Sequence, residues 1–405
     1  MSTTPVPEYG WIQALPKICL HDHLDGGVQP ATMIEIAQEI GYELPESTPE
    51  KLQQWFEEAA DSRSLERYLE TFDHTLAVMQ RAEDLRRIAR EHVMTLAADG
   101  VIYGEVRWAP EQHTNAGLSM DEAVVAVTEG LTDGMEAIAD TGAQVIVNQI
   151  ICAMRQNDRS LEVAKLAVKH RRAGVVGFDL AGPEDGFSSA KHREALDYVA
   201  ENFMPVTLHA GEAAGIDSIR SALLDGRALR LGHGVRITED FTYSTVKEVD
   251  PDGIYMPGAD PNQEVLNLGQ VSSWAKDRRI TLEVCPCSNL QTDAAYSVHS
   301  GKSENTQWAR TIEEHPVVLL RDLGFAVTIN PDNRLMSGTS ITHEFTELAK
   351  VHGYGPNEFF ELTMNAIEGA FIALNEKQTL MRTAQAMYQQ IMQPAGEHTH
   401  EHHEA

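Results

Sequence analysis

The sequence has few cysteines, few basic residues and no long hydrophobic run. Its four cysteines, Cys19, Cys152, Cys285 and Cys287, are too few and too scattered over 405 residues for a disulfide framework. No stretch approaches the roughly twenty apolar residues that a membrane span requires, and residues 1–16 lack a basic segment followed by an apolar core. We therefore expect neither export nor membrane insertion, and a cytoplasmic location.

The scarcity of basic residues also restricts the possible partners. The chain carries 32 Lys and Arg against 61 Asp and Glu, for a net charge of −29. Nucleic acid and anionic membranes both bind through Lys and Arg, so we expect neither as a partner. The composition favours a small neutral molecule instead. The oligomeric state is not indicated.

Hydrophobic residues make up 42% of the chain, and the apolar runs recur regularly. Eight of them read as strands, at residues 17–20, 101–108, 145–151, 175–180, 205–208, 229–231, 280–285 and 325–329. Most are separated by helical patterns, and eight strands alternating with helices are typical of a closed parallel barrel. A doubly wound sheet is the alternative, but no Gly-x-Gly-x-x-Gly turn follows an early strand. We predict an α/β protein, a (β/α)8 TIM barrel, with one domain over residues 1–392.

Additional helices are predicted between strands 1 and 2 and at the C-terminus. Residues 41–98 read as helical, with Thr48 and Ser64 as N-caps, and further helical patterns cover residues 344–351, 357–375 and 379–392. The first excursion is longer than a barrel needs, so we predict that part of it covers the site, with Phe72 as an apolar wall. An ordinary packed helix face is the alternative. Residues 393–405 are predicted to be a disordered tail, which contains His398, His400, His402 and His403.

Histidines and an aspartate follow four of the predicted strands. His21 and His23 come after the first strand, and their spacing places them on one face of an extended chain. Later strands are followed by His209, His233 and Asp332. The carboxyl ends of barrel strands meet at one mouth, so we expect these side chains to converge there. Taken alone, the His21/His23 pair is equally compatible with a surface histidine pair, and a single strand-end histidine such as His209 is more often structural or exposed.

A carboxylate stands close to the third of these histidines. Glu212 follows His209 by three residues, and the intervening Ala-Gly step lets the backbone turn so that both side chains face the same space. Three histidines and an aspartate suit one Zn²⁺ or another divalent ion, with a position left for water. Glu212 and His233 then remain for proton transfer. The set describes a metal-assisted hydrolase.

The motifs around these residues resemble those of the adenosine deaminase family, a branch of the amidohydrolase superfamily. In order they are Pro16-Lys17, His21-x-His23-Leu24-Asp25-Gly26, Asp179-Leu180-Ala181-Gly182, Thr207-Leu208-His209-Ala210-Gly211-Glu212, Gly232-His233-Gly234, Glu283-Val284-Cys285-Pro286 and Asn330-x-Asp332. The resemblance covers about residues 11–375. It implies an enzyme of purine salvage that hydrolyses adenosine and deoxyadenosine to inosine and deoxyinosine, with release of ammonia.

The resemblance also implies roles for these residues. One Zn²⁺ would be held by His21, His23, His209 and Asp332. Glu212 would protonate purine N1, so that zinc-activated hydroxide can add at C6. His233 would orient that hydroxide, and Asp332 would take part in catalysis as well as in metal binding.

Four residues are implied as substrate contacts, namely Asp25, Gly182, Asn333 and His23. Asp25 would accept a hydrogen bond from a ribose hydroxyl and repel a 5′-phosphate, although it is also a suitable turn residue. The backbone N–H of Gly182 would meet N3 of the purine. Asn333, which follows Pro331-Asp332, stands where a second Asp is more usual, and its amide can donate to N7.

Other interpretations stay open to different degrees. Cys285-Pro286-Cys287 has the wrong spacing for a cytidine-type deaminase, so core packing is the better interpretation. Residues 175–182 contain no lysine to bridge two metals, which favours a single-metal site. Within the enzyme class, the alternative is an adenine or modified-adenosine deaminase, because of Asn333. A non-catalytic binding relative is the other class, but such a protein would usually have lost a ligand or the proton donor.

Overall fold

A computed structural model describes residues 9–252, 254, 256, 258–298 and 307–392. Its strands are β1 (Lys17–His23), β2 (Val101–Trp108), β3 (Ile146–Met154), β4 (Val175–Ala181), β5 (Thr207–Ala210), β6 (Arg230–His233), β7 (Phe241–Thr245), β8 (Glu264–Leu268), β9 (Thr281–Val284) and β10 (Val327–Ile329).

The α-helices of the described residues alternate with the strands and also fill the two predicted excursions. They are α1 (Trp11–Ala14), α2 (Pro30–Ile40), α3 (Pro49–Ala60), α4 (Leu65–Glu70), α5 (Phe72–Ala77), α6 (Ala82–Ala98), α7 (Met120–Ala139), α8 (Ser160–Lys169), α9 (Arg193–Glu201), α10 (Ile216–Leu224), α11 (Val246–Val249), α12 (Gln270–Asp277), α13 (Pro286–Gln291), α14 (Val317–Asp322), α15 (Arg334–Ser337), α16 (Ile341–His352), α17 (Pro356–Gly369) and α18 (Leu374–Met392).

Two four-stranded parallel sheets join at both edges into a barrel. One sheet has the order β1-β2-β3-β4 and the other β5-β6-β9-β10. A parallel bridge between Phe178 and Val206 connects β4 to the segment before β5, and a second between Asp22 and Asp332 connects β1 to the segment after β10. At this second junction the His23 N–H donates to the Asp332 carbonyl at 2.8 Å. The predicted (β/α)8 barrel is confirmed. The junction of its first and last strands lies at His23 and Asp332, two of the predicted metal ligands.

The strand boundaries differ from the prediction mainly at the carboxyl ends. β1 continues through His23 instead of ending at Leu20, because residues beyond Leu20 still pair with β2, up to Arg107. The antiparallel hairpin of β7 and β8 was not predicted. Its strands are exposed or half-buried and carry polar residues on both faces, so they lack the apolar run that marked the barrel strands.

The two helical excursions are more broken than predicted. Residues 41–98 form four helices, α3 to α6, separated by short turns. Thr48 and Ser64 both occupy N-cap positions, although only the Ser64 hydroxyl accepts a backbone hydrogen bond, from Arg67. The helix predicted at 357–375 ends at Gly369 and the chain resumes helix at Leu374. Residues 393–405, with the predicted histidine-rich tail, lie outside the described residues, and the single domain over 1–392 stays a prediction.

The barrel interior contains a network of fully buried charges. Glu283 accepts hydrogen bonds from Arg107 at 2.6 Å, from Arg230 at 2.5 Å and from the Thr207 hydroxyl at 2.9 Å. Arg230 also pairs with Glu105 at 2.6 Å. Each of these charges would be costly in an apolar core without its partners. The network therefore requires every member, and it connects strands β2, β5, β6 and β9.

Removing one cation from this network should destabilise the barrel strongly. We expect Arg230→Met to lower the free energy of unfolding by about 3–5 kcal/mol, because Glu105 and Glu283 then keep buried charges without their common partner. The matched control is Arg159→Met, which breaks an exposed pair with Glu162 and should cost at most about 1 kcal/mol. Urea unfolding measures both, and similar losses in the two variants would contradict this account of the network.

Candidate active site

The side chains of His21 and His23 lie on the same face of β1, as their spacing predicted. The intervening Asp22 faces the opposite way, where its carboxylate accepts a hydrogen bond from Arg334 at 2.6 Å. The rings of His21 and His23 are 5.4 Å apart between centroids. Strand alternation therefore delivers two imidazoles to the barrel mouth from one strand end.

The structure brings His21, His23, His209 and Asp332 together, with one possible ligand atom from each within 4.8 Å of the others. Nε2 of His23 lies 3.2 Å from Nε2 of His209. Oδ1 of Asp332 lies 3.3 Å from Nε2 of His21 and 3.4 Å from Nε2 of His23. Ligands held at about 2.0–2.1 Å in tetrahedral geometry are roughly 3.3 Å apart. The separations fit a site for one divalent ion.

The other ring nitrogens of two of these histidines face buried carboxylates. Nδ1 of His21 is 3.0 Å from Glu283, and Nδ1 of His209 is 2.9 Å from Asp179. Because a carboxylate only accepts, each Nδ1 carries the proton and each Nε2 offers its lone pair to the cluster. Nε2 of His21 is buried and has no hydrogen-bond partner among the described residues. A metal ion would satisfy that lone pair, so the donor set fits one.

Glu212 and His233 form a second buried pair beside the cluster. Nε2 of His233 lies 3.5 Å from Oε2 of Glu212. The Asn289 amide lies 2.9 Å from Nδ1 of His233, and in this orientation it donates, so Nε2 carries the proton. Burial and the Asp332 carboxylate raise the pKa of Glu212, whereas burial and His21 lower the pKa of His233. These surroundings favour the neutral carboxylic acid of Glu212 and the neutral imidazole of His233.

The backbone takes unusual conformations where these side chains are presented. His233 and Asp332 have φ values of 63° and 62°, in the left-handed region that residues other than glycine rarely adopt. Such residues cost of order 1–3 kcal/mol and cluster at functional sites. Gly211 has φ of 76° between His209 and Glu212. The predicted turn at the Ala-Gly step is therefore present.

A cavity of about 230 Å³ opens beside His23. Asp25 and Gly182 line it, and so does Phe72 on α5, in the position of the predicted apolar wall. Oδ1 of Asp25 is 3.8 Å from Nδ1 of His23, and burial raises the pKa of Asp25 to about 7. Gly182 has φ of 89°, and a Cβ there would lie 2.6 Å from the side chain of Gln156. The cavity thus combines apolar and polar lining residues next to the cluster.

Asn333 is next to the cluster in sequence but does not line this cavity. Its side chain is buried against Gly26, where a Cβ would lie 2.0 Å from Oδ1 of Asn333. Oδ1 of Asn333 has no hydrogen-bond partner among the described residues. Its predicted contact with purine N7 stays a prediction.

Several residues that support the site were given no role by the sequence. They are buried polar side chains on strands, in the loop after β4 or on α13, namely Asp179, Glu184, Glu283, Ser288 and Asn289. A carboxylate inside an apolar strand is a usable signal, and it marks Asp179 and Glu283. The Ser288 hydroxyl donates to Oδ2 of Asp332 at 2.7 Å, but nothing in the local pattern around Ser288 indicates this contact.

The cysteine pair is not needed to explain the cluster. Cys285 is buried and lies within 4.8 Å of ligand-type atoms of His233 and Asp332. Burial and the Asp332 charge raise the pKa of this thiol well above its ordinary value, so it is protonated at neutral pH. This favours the packing role that the spacing predicted.

The closed barrel with polar groups at the carboxyl ends of its strands defines an enzyme of the amidohydrolase type. A Zn-bound amidohydrolase from Burkholderia ambifaria has the same fold, with a TM-score of 0.74 at 19% identity, over 96% of this chain and 95% of that one. The family model described as adenosine deaminase matches residues 16–387. The chain belongs to the adenosine deaminase family, whose members are hydrolytic, metal-dependent deaminases.

Relatives with this family's name match over most of their length. Adenosine deaminase 1 of Streptomyces coelicolor is 45% identical over 93% of this chain and 87% of its own. The adenosine deaminase of Mycobacterium leprae is 45% identical over 90% of this chain and 93% of its own. Among solved structures, the Arabidopsis N6-mAMP deaminase is 25% identical with a TM-score of 0.72, over 93% of this chain and 99% of that one.

Within the part of the chain that the structure describes, every helix is too short or too polar to cross a membrane. The cytoplasmic location stays a prediction.

Metal binding should stabilise the folded chain through the cluster. We expect removal of divalent ions to lower the unfolding temperature and stoichiometric Zn²⁺ to restore it, since a ligand at 100 times its Kd adds about 2.7 kcal/mol. His209→Ala should abolish this response, whereas His343→Ala, a change at an exposed histidine on α16, should preserve it. Thermal unfolding and bound zinc per chain after dialysis measure the effect. An unaltered response in His209→Ala would exclude the cluster as the metal site.

Proposed function

We propose that this enzyme hydrolyses adenosine and deoxyadenosine to inosine and deoxyinosine, with release of ammonia, as a step of purine salvage in the cytoplasm. The observation that carries the proposal is the buried Glu212–His233 pair beside a four-residue metal cluster at the end of a cavity. Relatives 43–45% identical to this chain over nine-tenths of its length bear the name adenosine deaminase. The proposal takes residues 1–392 as one catalytic domain.

The four-residue cluster would hold one divalent ion, with His21, His23, His209 and Asp332 as its ligands. Three nitrogen donors and one carboxylate suit Zn²⁺. When bound, the ion supplies Lewis acidity that lowers the pKa of a water molecule towards neutrality. Glu283 and Asp179 fix the orientation of two of the imidazoles, which keeps their Nε2 atoms aimed at one point.

Glu212 would supply the proton that activates the purine. Its raised pKa favours the protonated carboxylic acid, which can donate to N1 and draw electron density away from C6. The water oxygen then forms a bond to C6. Of the two water protons, one would return to Glu212 and the other would pass to the amino group, so that the C6–N bond breaks and ammonia leaves. The neutral His233 would donate through Nε2 and orient the attacking oxygen, close to Glu212.

Asp25 and Gly182 would set the position of the nucleoside in the cavity. Gly182 presents its backbone where a side chain would occupy the space, which suits a contact with N3. Asp25 would bond a ribose hydroxyl and disfavour a 5′-phosphate. Solved relatives 25% identical to this chain are complexes with the nucleotides IMP and GMP, so this carboxylate is the proposed reason for nucleoside preference here.

A second candidate is deamination of adenine or of a modified adenosine. It is favoured by Asn333, which is buried and stands where the family more often has Asp. The first test is the ultraviolet change during deamination, with adenosine, deoxyadenosine, adenine, N6-methyladenosine and AMP compared, before and after metal removal and zinc return. Rapid metal-dependent loss of adenosine, with AMP unchanged, supports the proposal. Turnover of adenine or N6-methyladenosine alone would replace it with the second candidate.

The role of Glu212 is tested by Glu212→Gln, which preserves the shape of the side chain but removes the proton. We expect kcat to fall by roughly 100- to 10,000-fold, because this is what a general acid contributes. Bound zinc and the unfolding temperature should stay close to those of the parent enzyme. Turnover within tenfold of the parent would show that another group protonates N1.

Asp25→Ala tests recognition of the ribose. We expect kcat/KM for adenosine to fall by roughly 10- to 100-fold, the effect of one or two hydrogen bonds to a charged group. Free adenine lacks the ribose, so its residual turnover should change little. The control is Phe72→Leu, a change in the apolar lining of the cavity, which should change the turnover of adenosine and of adenine to a similar extent. Equal losses for both substrates in Asp25→Ala would remove Asp25 from ribose recognition.

A further inference from the structure

Glu184 binds the backbone of the turn that presents Glu212. Its Oε1 accepts a hydrogen bond from the N–H of Gly211 at 2.7 Å. Its Oε2 accepts from the N–H groups of Glu212, Ala213 and Ala214 at 2.9, 2.7 and 2.9 Å. One side chain thus satisfies four consecutive amides.

A fifth donor completes the surroundings of this carboxylate. The Ser218 hydroxyl donates to Oε1 of Glu184 from α10. Glu184 is only 3% exposed, so water contributes little to its solvation. Converging N–H groups form a concave site for an anion, and here the anion is a side chain of the same chain. A neutral side chain would leave several buried donors without an acceptor.

The other side of the turn is held by a cation. Arg155 donates through Nη2 to the carbonyls of His209 at 2.6 Å and Leu180 at 3.0 Å. His209 is fixed additionally by Asp179. The contacts of Glu184 begin only after His209 and include Glu212 itself, so the two supports act on different parts of the segment.

We propose that Glu184 is a positioning residue for the reaction, which holds the Glu212 side chain in the geometry needed for proton transfer to the substrate. The inference rests on the proposed role of Glu212 as proton donor. The turn needs the support of Glu184 because Gly211 has no side chain to restrict its φ of 76°, so hydrogen bonds must fix the backbone there. A displacement of about 1 Å at a reacting group is enough to lower a rate 100-fold.

The carboxylate also acts on Glu212 through its charge. After burial and the charge of Asp332, the charge of Glu184 is a further cause of the raised pKa of Glu212. Position and protonation state of the proton donor therefore depend on the same neighbour.

The test is a double-mutant cycle between Glu184→Gln and Glu212→Gln. Glutamine has the shape of glutamate but replaces one oxygen with NH₂, so either Gly211 or the three following amides face a donor. In the parent enzyme we expect Glu184→Gln to lower kcat by about 10- to 100-fold, with KM within threefold and one zinc per chain retained. In the Glu212→Gln background the same change should lower kcat by less than about twofold, because the group it positions no longer transfers a proton.

Two further variants make the result specific. Glu239→Gln is the matched control, since Glu239 accepts from the N–H of Ile216 at 3.2 Å, at the start of α10, whereas the amides of residues 211–214 donate to Glu184. It should leave kcat within twofold. Glu184→Asp keeps the charge on a shorter side chain and should recover part of the lost rate. Equal losses in the two backgrounds, or losses equal to those of Glu239→Gln, would overturn the proposal.

The experiment distinguishes a role of Glu184 in positioning from a folding defect and from an incorrectly proposed substrate. If Glu184→Gln does not fold, Ser218→Ala replaces it, because this change removes one donor to Oε1 of Glu184. We expect Ser218→Ala to lower kcat two- to fivefold in the parent enzyme and to have no effect in the Glu212→Gln background. An unchanged kcat in the parent enzyme would overturn the proposal. The cycle is run with whichever amino-purine the parent enzyme deaminates. Inactivity towards adenosine would therefore contradict the proposed substrate, whereas an additive cycle contradicts the role of Glu184.

Discussion

The site depends on two buried carboxylates that hold the Nδ1 side of the imidazoles. Glu283 and Asp179 each face one histidine of the cluster, at 3.0 and 2.9 Å, and thereby decide which ring nitrogen is free. Imidazole binds metal only through an unprotonated nitrogen, so the tautomer is as important as the position of the ring. Arg107 contacts both carboxylates, at 2.6 and 2.9 Å, and prevents either from accepting a proton instead.

This arrangement explains why the centre of the barrel is charged, although barrel interiors are usually filled with branched apolar side chains. Replacing buried ion pairs with apolar residues often stabilises a protein, so stability alone does not require them. Here the carboxylates that pair with Arg107 and Arg230 also orient two of the ligands. Charge burial and the left-handed backbone at His233 and Asp332 are both unfavourable for stability, but they give a rigid site.

The fold and the cluster could be predicted because they leave local signals. Period-two alternation places His21 and His23 on one face, and the barrel rule brings four distant strand ends together. The hairpin of β7 and β8 left no such signal, since it buries little apolar surface. Contacts such as Ser288 with Asp332, or Glu184 with the turn after His209, depend on loop conformations that only the assembled barrel fixes.

The two acids nearest the reaction are given opposite protonation states by their neighbours. Burial opposes ionisation of both, but the neighbouring imidazoles of His21, His233 and His23 lower the pKa of Asp332. Glu212 instead has the carboxylates of Asp332 and Glu184 as neighbours, and its pKa is raised. Acid and base roles follow wherever environments separate the pKa values of two groups in this way. The ionised Asp332 is therefore suited to a cation and the neutral Glu212 to proton donation, and each assignment strengthens the other, because the charge on Asp332 is itself a reason why Glu212 keeps its proton.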